Sequence, residues 1–488
     1  MISVHTKIHD KFSLEFKIAY KARRKMKINN FLLNTWIFIP NSLDINAGSY
    51  SRDDFYKDIR TNIRLITPVF IVREIASGDA VPLKNLETSM KQLASSPTRS
   101  TIAEYEYQIK MFSAIYKSAI RDQLEYIFKT AQHEDREELI HEFLNDITDI
   151  LDKYRHLAHT IKTSTVNQVV YNYYIFGDEF MSNLTEKEIS GLIHKLKTKS
   201  ENNLSKSLIE KAFGVLEKEK KHKTDCNYLQ VDPESQNKNS ELIFRLGALK
   251  KYIESDLFLN ANKKRDGVLA EQVYYSIAAG LSMIFATTVA FSFQQKFGSF
   301  TMPLFVALVV SYMLKDRIKE LMRYYFAQKI SAKYYDNKTT ISVKDKEIGM
   351  SKEGFDFIDE SNVPQQILRM RNRIPLIEAD NRHAKEKIIL FRKSVKIDRE
   401  LLNQSTNYNI DGVVEIIRMN MISLMRKTDN PEVPLFVIDE NKSVKKIMGT
   451  KNYYINIILQ FKHEEDEKYL RYRVGFNRMG INSINEMS

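Results

Sequence analysis

Ten histidines and one cysteine are the residues from which metal or thiol chemistry would have to be built. His133, Glu137 and His141 stand at i, i+4 and i+8, and Asp152, His156 and His159 at i, i+4 and i+7, so each trio lines up donors on one helix face, as a zinc site requires. A helix over 134–162 carries a stronger pattern, because Leu139, Ile140, Phe143, Leu144, Ile147, Ile150, Leu151, Tyr154 and Leu157 recur with a 3.6 period. The trios then fall with Asn145, Thr148 and Arg155 on the opposite face, where solvation explains them without a metal. Cys226 lies in the polar stretch 224–240 rather than at a helix start, so a thiol nucleophile is not expected there, and a lone cysteine forms no internal disulfide. Asp439, Glu440 and Lys442 follow an apolar run in the style of a metal-dependent nuclease, but this composition is that of a turn. The 15 glycines fall in none of the Rossmann, P-loop or nucleophile-elbow patterns. No catalytic, cofactor-binding or metal-binding residue is assigned from the sequence.

The elements that would position any site are set by composition. The 488 residues hold 27 Phe, 25 Tyr and one Trp, enough large side chains for several cores, which excludes a disordered chain. With 74 Lys+Arg against 62 Asp+Glu the net charge is +12, so an anionic partner, lipid headgroup or nucleic acid, is attracted. The basic runs 21–27, 218–223 and 369–373 lack the interleaved aromatics of a single-strand binder, and nucleic acid is not the expected partner. Charges scattered through the first 27 residues leave no room for a signal-peptide apolar region, so no cleavable signal is expected.

One region departs from the soluble average, a mean hydropathy of −0.38. Val273 to Phe293 is uncharged and as a helix would be about 31 Å long, the thickness of a bilayer core. A second uncharged run follows, and two spans are expected at 273–293 and 298–314, forming a transmembrane helical hairpin. Lys263, Lys264 and Arg265 precede it and Lys315, Arg317, Lys319 and Arg323 follow it, whereas the turn holds only Lys296. By the positive-inside rule both termini are cytoplasmic, and these seven residues are expected at lipid headgroups. Small residues at a spacing of four, Ser276 with Gly280, Ser282 with Ala286 and Ala290, and Ala307 with Ser311, would let helices approach closely, within one chain or between copies.

The expected organisation is α+β: a small α+β module over 1–98, a cytoplasmic helical bundle over 99–223, a linker over 224–239, the hairpin with flanking helices over 240–335, and a C-terminal antiparallel sheet domain with one or two helices over 336–488. Within it, Ser51 with Asp54 starts a helix running to Ile66, Thr185 with Glu188 opens another, and Val413 to Met425 reads as a helix. The function expected is that of a multi-pass membrane protein, in the inner membrane if bacterial, serving as a non-catalytic scaffold, sensor or regulator. Its partners would be the bilayer, an unidentified cytoplasmic protein or ligand, and further copies of itself. Two alternatives are an oligomerising effector that disrupts the membrane and a membrane-tethered enzyme of unknown chemistry.

Overall fold

The computed structural model describes all residues except 1, 130–134, 163–165, 199–205, 299–300, 373–384, 439–442 and 488. Mixed helix and sheet make the chain α+β, divided into two compact units. One comprises Met1–Arg64, Leu259–Asn407 and Asp411–Ser488; the other comprises Leu65–Phe258 and Tyr408–Ile410. The helical unit is therefore inserted into the sequence of the sheet unit.

The sheet unit opens with β1 (Ile2–Asp10), β2 (Ser13–Lys21), β3 (Ile28–Ile39), α1 (Arg52–Asp58) and β4 (Ile59–Leu65). Ser51 caps α1 through the expected capping box with Asp54, but the helix ends at Asp58 rather than Ile66. From Ile59 the β-branched residues alternate toward the interior and the chain extends as β4.

The helical unit, which this strand precedes, contains α2 (Val72–Ser77), α3 (Val81–Ser95), α4 (Arg99–Lys129), α5 (Arg136–His156), α6 (Ala158–Ile161), α7 (Gln168–Thr198), α8 (Lys206–Asp225) and α9 (Gln236–Glu254). Thr185 does not open a helix. It is buried in the middle of α7, where its hydroxyl meets Tyr116 Oη at 2.6 Å and donates to the Met181 carbonyl at 2.8 Å. Gly177 lies at a close helix contact: a Cβ there would lie 2.4 Å from Tyr154 Oη and 2.9 Å from Ile109. Gly177→Leu is expected to destabilise the unit by about 1–3 kcal/mol through overpacking. Gly191→Leu, on the same helix with nothing within 4 Å of its Cβ, should be neutral or slightly stabilising. Thermal loss of helical circular dichroism distinguishes the two.

The chain returns to the sheet unit through β5 (Asn260–Arg265), not through a helix leading directly into the apolar region. Then come α10 (Val268–Phe297), α11 (Met302–Lys333), β6 (Asn337–Val343), β7 (Lys346–Ile358), α12 (Gln365–Arg371), β8 (Lys387–Asp398), α13 (Arg399–Gln404) and β9 (Gly412–Asn420). The last segment holds α14 (Ile422–Met425), the exposed ribbon β10 (Glu432–Ile438) with β11 (Val444–Thr450), and β12 (Tyr453–His463), β13 (Asp466–Asn477) and β14 (Gly480–Met487).

The strands form an eight-stranded sheet, β14-β13-β12-β3-β8-β7-β6-β5, and a four-stranded sheet, β1-β2-β9-β4. N-terminal strands are thus built into both sheets: β3 lies between β12 and β8, and β2 pairs with β9. Residues 1–65 do not form a module of their own, and the C-terminal strands do not form a separate domain. Val413 to Asn420 is a strand because Val413, Glu415, Ile417 and Met419 point inward with period two once β2 pairs alongside. Phe16 and Ile18 of β2 and Ile417 of β9 share one apolar interior with Leu33 of β3, Phe391 of β8 and Ile457 of β12. Lys393 is fully buried in this unit, bonded to Glu353 of the same sheet and Glu415 of the other.

Candidate functional site

The apolar helices grow from an edge of the eight-stranded sheet. Adjacent strands β5 and β6 pair antiparallel with Arg265 opposite Asn337, and beyond that pair Asp266 N donates to the Asp336 carbonyl at 3.1 Å. Gly267 then turns the chain into α10 with φ +74°, where a Cβ would also sit 3.0 Å from the Tyr334 ring. Among the described residues α10 is the one helix long and apolar enough to cross a membrane. The run 298–314 is not a continuous second span of that kind: α11 starts at Met302 and its apolar part ends at Leu314, so it is about 20 Å long, short of the ~30 Å core.

The two helices pack through small side chains. Ala278 and Ser282 are the buried residues of α10, and Ala307 and Ser311 are buried on α11. Of the expected packing residues, Ser282, Ala307 and Ser311 therefore lie in the seam, and Ala286 and Ala290 are half-buried. Ser276 and Gly280 face outward, with nothing within 4 Å of a Cβ at Gly280. Ile284 and Phe291 of α10 and Phe305 and Met313 of α11 are 61–71% exposed, so these helices are not the core of the folded unit. Hydroxyls in α10 turn back on their own helix: Ser276, Thr287 and Ser292 donate to carbonyls four residues earlier, at 2.8–2.9 Å. Such polar groups need no water.

One end of the pair is basic and aromatic. The Phe326 ring lies 5.1 Å from Tyr274, the Arg323 guanidinium 5.2 Å over Tyr275 and the Lys315 ammonium 3.9 Å over Tyr312. Arg317 is exposed and Lys319 half-buried on α11. Lys263, Lys264 and Arg265 are on β5 rather than on a helix. Lys263 is engaged by Glu353 at 3.1 Å and by the Tyr56 ring at 4.5 Å, and Arg265 faces Glu271 at 3.5 Å.

A polar cavity of about 410 Å³ opens at this root, lined in part by Arg52, Tyr56, Arg265, Glu271 and Asp336. Asp336 accepts from Arg52 at 2.7 Å, Tyr56 Oη at 3.0 Å and the Phe355 amide at 2.7 Å. Burial and the Asp336 charge push the Tyr56 phenol well above its ordinary range, so it stays protonated as a donor.

No family model, curated protein or solved structure matches the chain. Its chemistry has to be read from its own side chains.

Among the described residues, the second histidine trio does not bring its donors together, and the first is described only at Glu137 and His141. His133 lies outside the described residues, as do Asp439, Glu440 and Lys442. Glu137, His141, Asp152, His156 and His159 are all exposed. Lys211 Nζ sits 2.9 Å from His141 Nε2, where a metal would compete with a cation, and Lys218 pairs with Asp152 at 2.6 Å.

A different cluster, missed in the sequence, forms where α5, α7 and α8 meet. Asp178, 1% exposed, accepts from Arg155 Nε at 3.0 Å and Tyr228 Oη at 2.9 Å, and its Oδ2 is 2.7 Å from His222 Nε2. Cys226, one turn beyond His222, places Sγ 3.7 Å from Nε2 and 3.9 Å from Nδ1. Buried Glu219 takes both Arg155 amino groups at 2.9 and 2.8 Å and the Ser182 hydroxyl at 2.7 Å. Burial raises the Asp178 pKa, but the His222 bond and the Arg155 charge outweigh it and hold the carboxyl below its usual range. Partial desolvation and the Asp178 charge push the Cys226 thiol up. The group is not a nucleophilic triad: the thiol is not activated, and Asp178 occupies the ring nitrogen nearer the sulfur.

A sequence signal did exist. Leu208, Ala212 and Val215 mark the inward stripe of α8, which continues through Glu219 to half-buried His222, with Cys226 exposed in the turn just beyond the helix, while Asp178 continues the inward stripe of Tyr174 and Met181 on α7. Polar residues on inward stripes of two helices are the mark of a shared polar core site.

Proposed function

We propose that the chain is an integral membrane protein anchored by a two-span helical hairpin, with both termini and both folded units on the cytoplasmic side. It serves there as a non-catalytic scaffold or sensor. The observation that carries this reading is the pairing of β5 with β6. These strands lie immediately before α10 and after α11, so an odd number of crossings would separate partners that hydrogen-bond to one another. With α10 apolar all round and exposed, two crossings account for the surface better than none. The short apolar part of α11 is accommodated because Lys315, Lys319 and Arg323 can extend toward headgroups and the bilayer can thin locally. The aromatic and basic end of the pair supports the cytoplasmic interface at Tyr274 and Tyr275. Outward-facing Ser276 and Gly280 leave a surface on which a second copy would pack.

The single native thiol makes the topology testable. In sealed cells a membrane-impermeant maleimide should leave Cys226 unlabelled, and should label Lys296→Cys in a Cys226→Ser background. Permeabilisation should expose Cys226. Labelling of Cys226 in sealed cells, or failure of position 296 to label before permeabilisation, would reject the two-span arrangement.

A further inference from the structure

We propose that Asp178, His222 and Cys226 form a zinc site that ties α8 to α7 inside the helical unit. Their donor atoms all lie within 4.8 Å of one another, and they come from α7, from the last turn of α8 and from the turn that follows it, close to the arrangement by which helical bundles hold metals. Zinc bonds of about 2.0–2.3 Å at tetrahedral angles set donors roughly 3.3–3.6 Å apart. The sulfur lies 3.7 Å from Nε2, close to that spacing, but its near-equal 3.9 Å from Nδ1 sets it beside the ring rather than beyond Nε2, so the His222 and Cys226 side chains must rotate to bring both donors onto one ion. The 2.7 Å approach of His222 Nε2 to Asp178 Oδ2 would open by about half an ångström as both turn to the ion.

The chemistry of the set selects the metal. The thiolate and the imidazole favour zinc over magnesium or calcium, and the carboxylate is a donor zinc also accepts. Three protein ligands leave a fourth position, and because Cys226 is exposed, that position opens to solvent and takes a water.

The surroundings behave as an outer shell. Arg155 holds Oδ1 of Asp178 and thereby directs Oδ2 toward His222 and Cys226, while Glu219 and Ser182 fix Arg155 in turn. Asp178 and Glu219 are both buried with Arg155 between them, so with His222 as a neutral ligand the three sum to one negative charge. A divalent ion with Cys226 as thiolate brings the group to neutrality. Binding breaks the Cys226 S–H bond, forms a metal–sulfur bond and releases that proton to solvent; His222 gives up the Nε2 proton it donates to Asp178 and carries its single ring proton on Nδ1, so that the freed Nε2 lone pair and Asp178 Oδ2 each bond the ion.

Because Cys226 is the sole cysteine, any thiolate signal belongs to it. The test adds Co²⁺ to the detergent-purified full chain and reads its absorption, then displaces it with Zn²⁺. The expected result is about one tetrahedral Co²⁺ per chain with a thiolate-to-metal charge-transfer band, reversed by Zn²⁺. Cys226→Ser, at an exposed position, should keep the fold, lose that band and weaken zinc by more than the ~10–100-fold that outer-shell changes cost. Zinc should also raise the unfolding midpoint of the wild-type helical unit but not that of the variant. Absence of the charge-transfer band in the wild type, or equal zinc affinity in Cys226→Ser, overturns the proposal and leaves His222 as a hydrogen-bonded partner of Asp178 only.

Discussion

Lys393→Met is expected to cost the sheet unit about 3–5 kcal/mol, the penalty for breaking a buried ion pair from one side. Lys393 is fully buried and donates to Glu353 Oε1 at 2.8 Å and to Glu415, which also accepts from Tyr20 Oη at 3.1 Å. Methionine keeps most of the volume but leaves two carboxylates facing each other across the sheets, with Lys263 still on Glu353 and only a phenol on Glu415. The double variant Lys393→Met/Glu415→Gln removes the second charge and should recover a large part of the loss. Trp36, the sole tryptophan, is buried in β3, so its fluorescence during thermal unfolding reads this unit alone.

Acid sharpens the same prediction. Burial raises Glu353, but the charges of Lys393 and Lys263 outweigh it and hold the carboxyl at about 2 against an ordinary 4.5. A folded pKa below the unfolded one stabilises the fold at pH values above the unfolded value. That contribution is lost as pH falls from about 4.5 through 2, and at roughly 1.4 kcal/mol per pH unit it amounts to about 3 kcal/mol. Without Lys393, Glu353 loses its principal counter-charge and protonates at higher pH, so the variant should begin to lose Trp36 signal at a higher pH than the wild type. Identical acid midpoints would show that Lys393 does not hold Glu353 ionised.

What could be read from the sequence follows the range of the interactions involved. The apolar α10 is declared by its own composition, and the inward stripe of α5 by its own period; neither depends on a distant partner. The sequence of β9 fits a helical pattern slightly better than an alternating one, and the decision for a strand is made by β2, near the other end of the chain. Thr185 carried a correct local capping signal that tertiary packing overrode, since its hydroxyl is used inside α7. The division into modules failed for the same reason: β3 pairs with β8 and β12, and no local feature of residues 28–39 announces those partners. The Asp178 cluster needs α7, α8 and α5 assembled before its members are neighbours, whereas the described members of the histidine trios, legible at fixed spacing on one helix, are solvated.

Excising the apolar helices is expected to turn the chain into a water-soluble protein with its sheet unit intact. Asp266 and Asp336 are already neighbours across the root of the ribbon, so replacing Gly267–Tyr335 by Asn-Gly closes β5 onto β6 with a two-residue turn whose twist suits antiparallel strands. Asp336 keeps Arg52, Tyr56 and the Phe355 amide as partners, all outside the excised segment. Shortening the connection also lowers the entropy cost of pairing these edge strands, a gain that grows only slowly with the length removed. The full chain should sediment with membranes and require detergent for release. The shortened chain should remain in the supernatant and unfold, by Trp36 fluorescence, within a few degrees of the full chain in detergent, because a turn replacement away from the core changes stability by roughly 1 kcal/mol or less. A full chain that is soluble without detergent would sink the membrane reading, since its exposed Ile284, Phe291, Phe305 and Met313 would then need some other cover. A shortened chain that is soluble but lacks the Trp36 transition would instead mean that the hairpin helps to hold β5 and β6 on the sheet edge, a separate failure that leaves the membrane anchor standing.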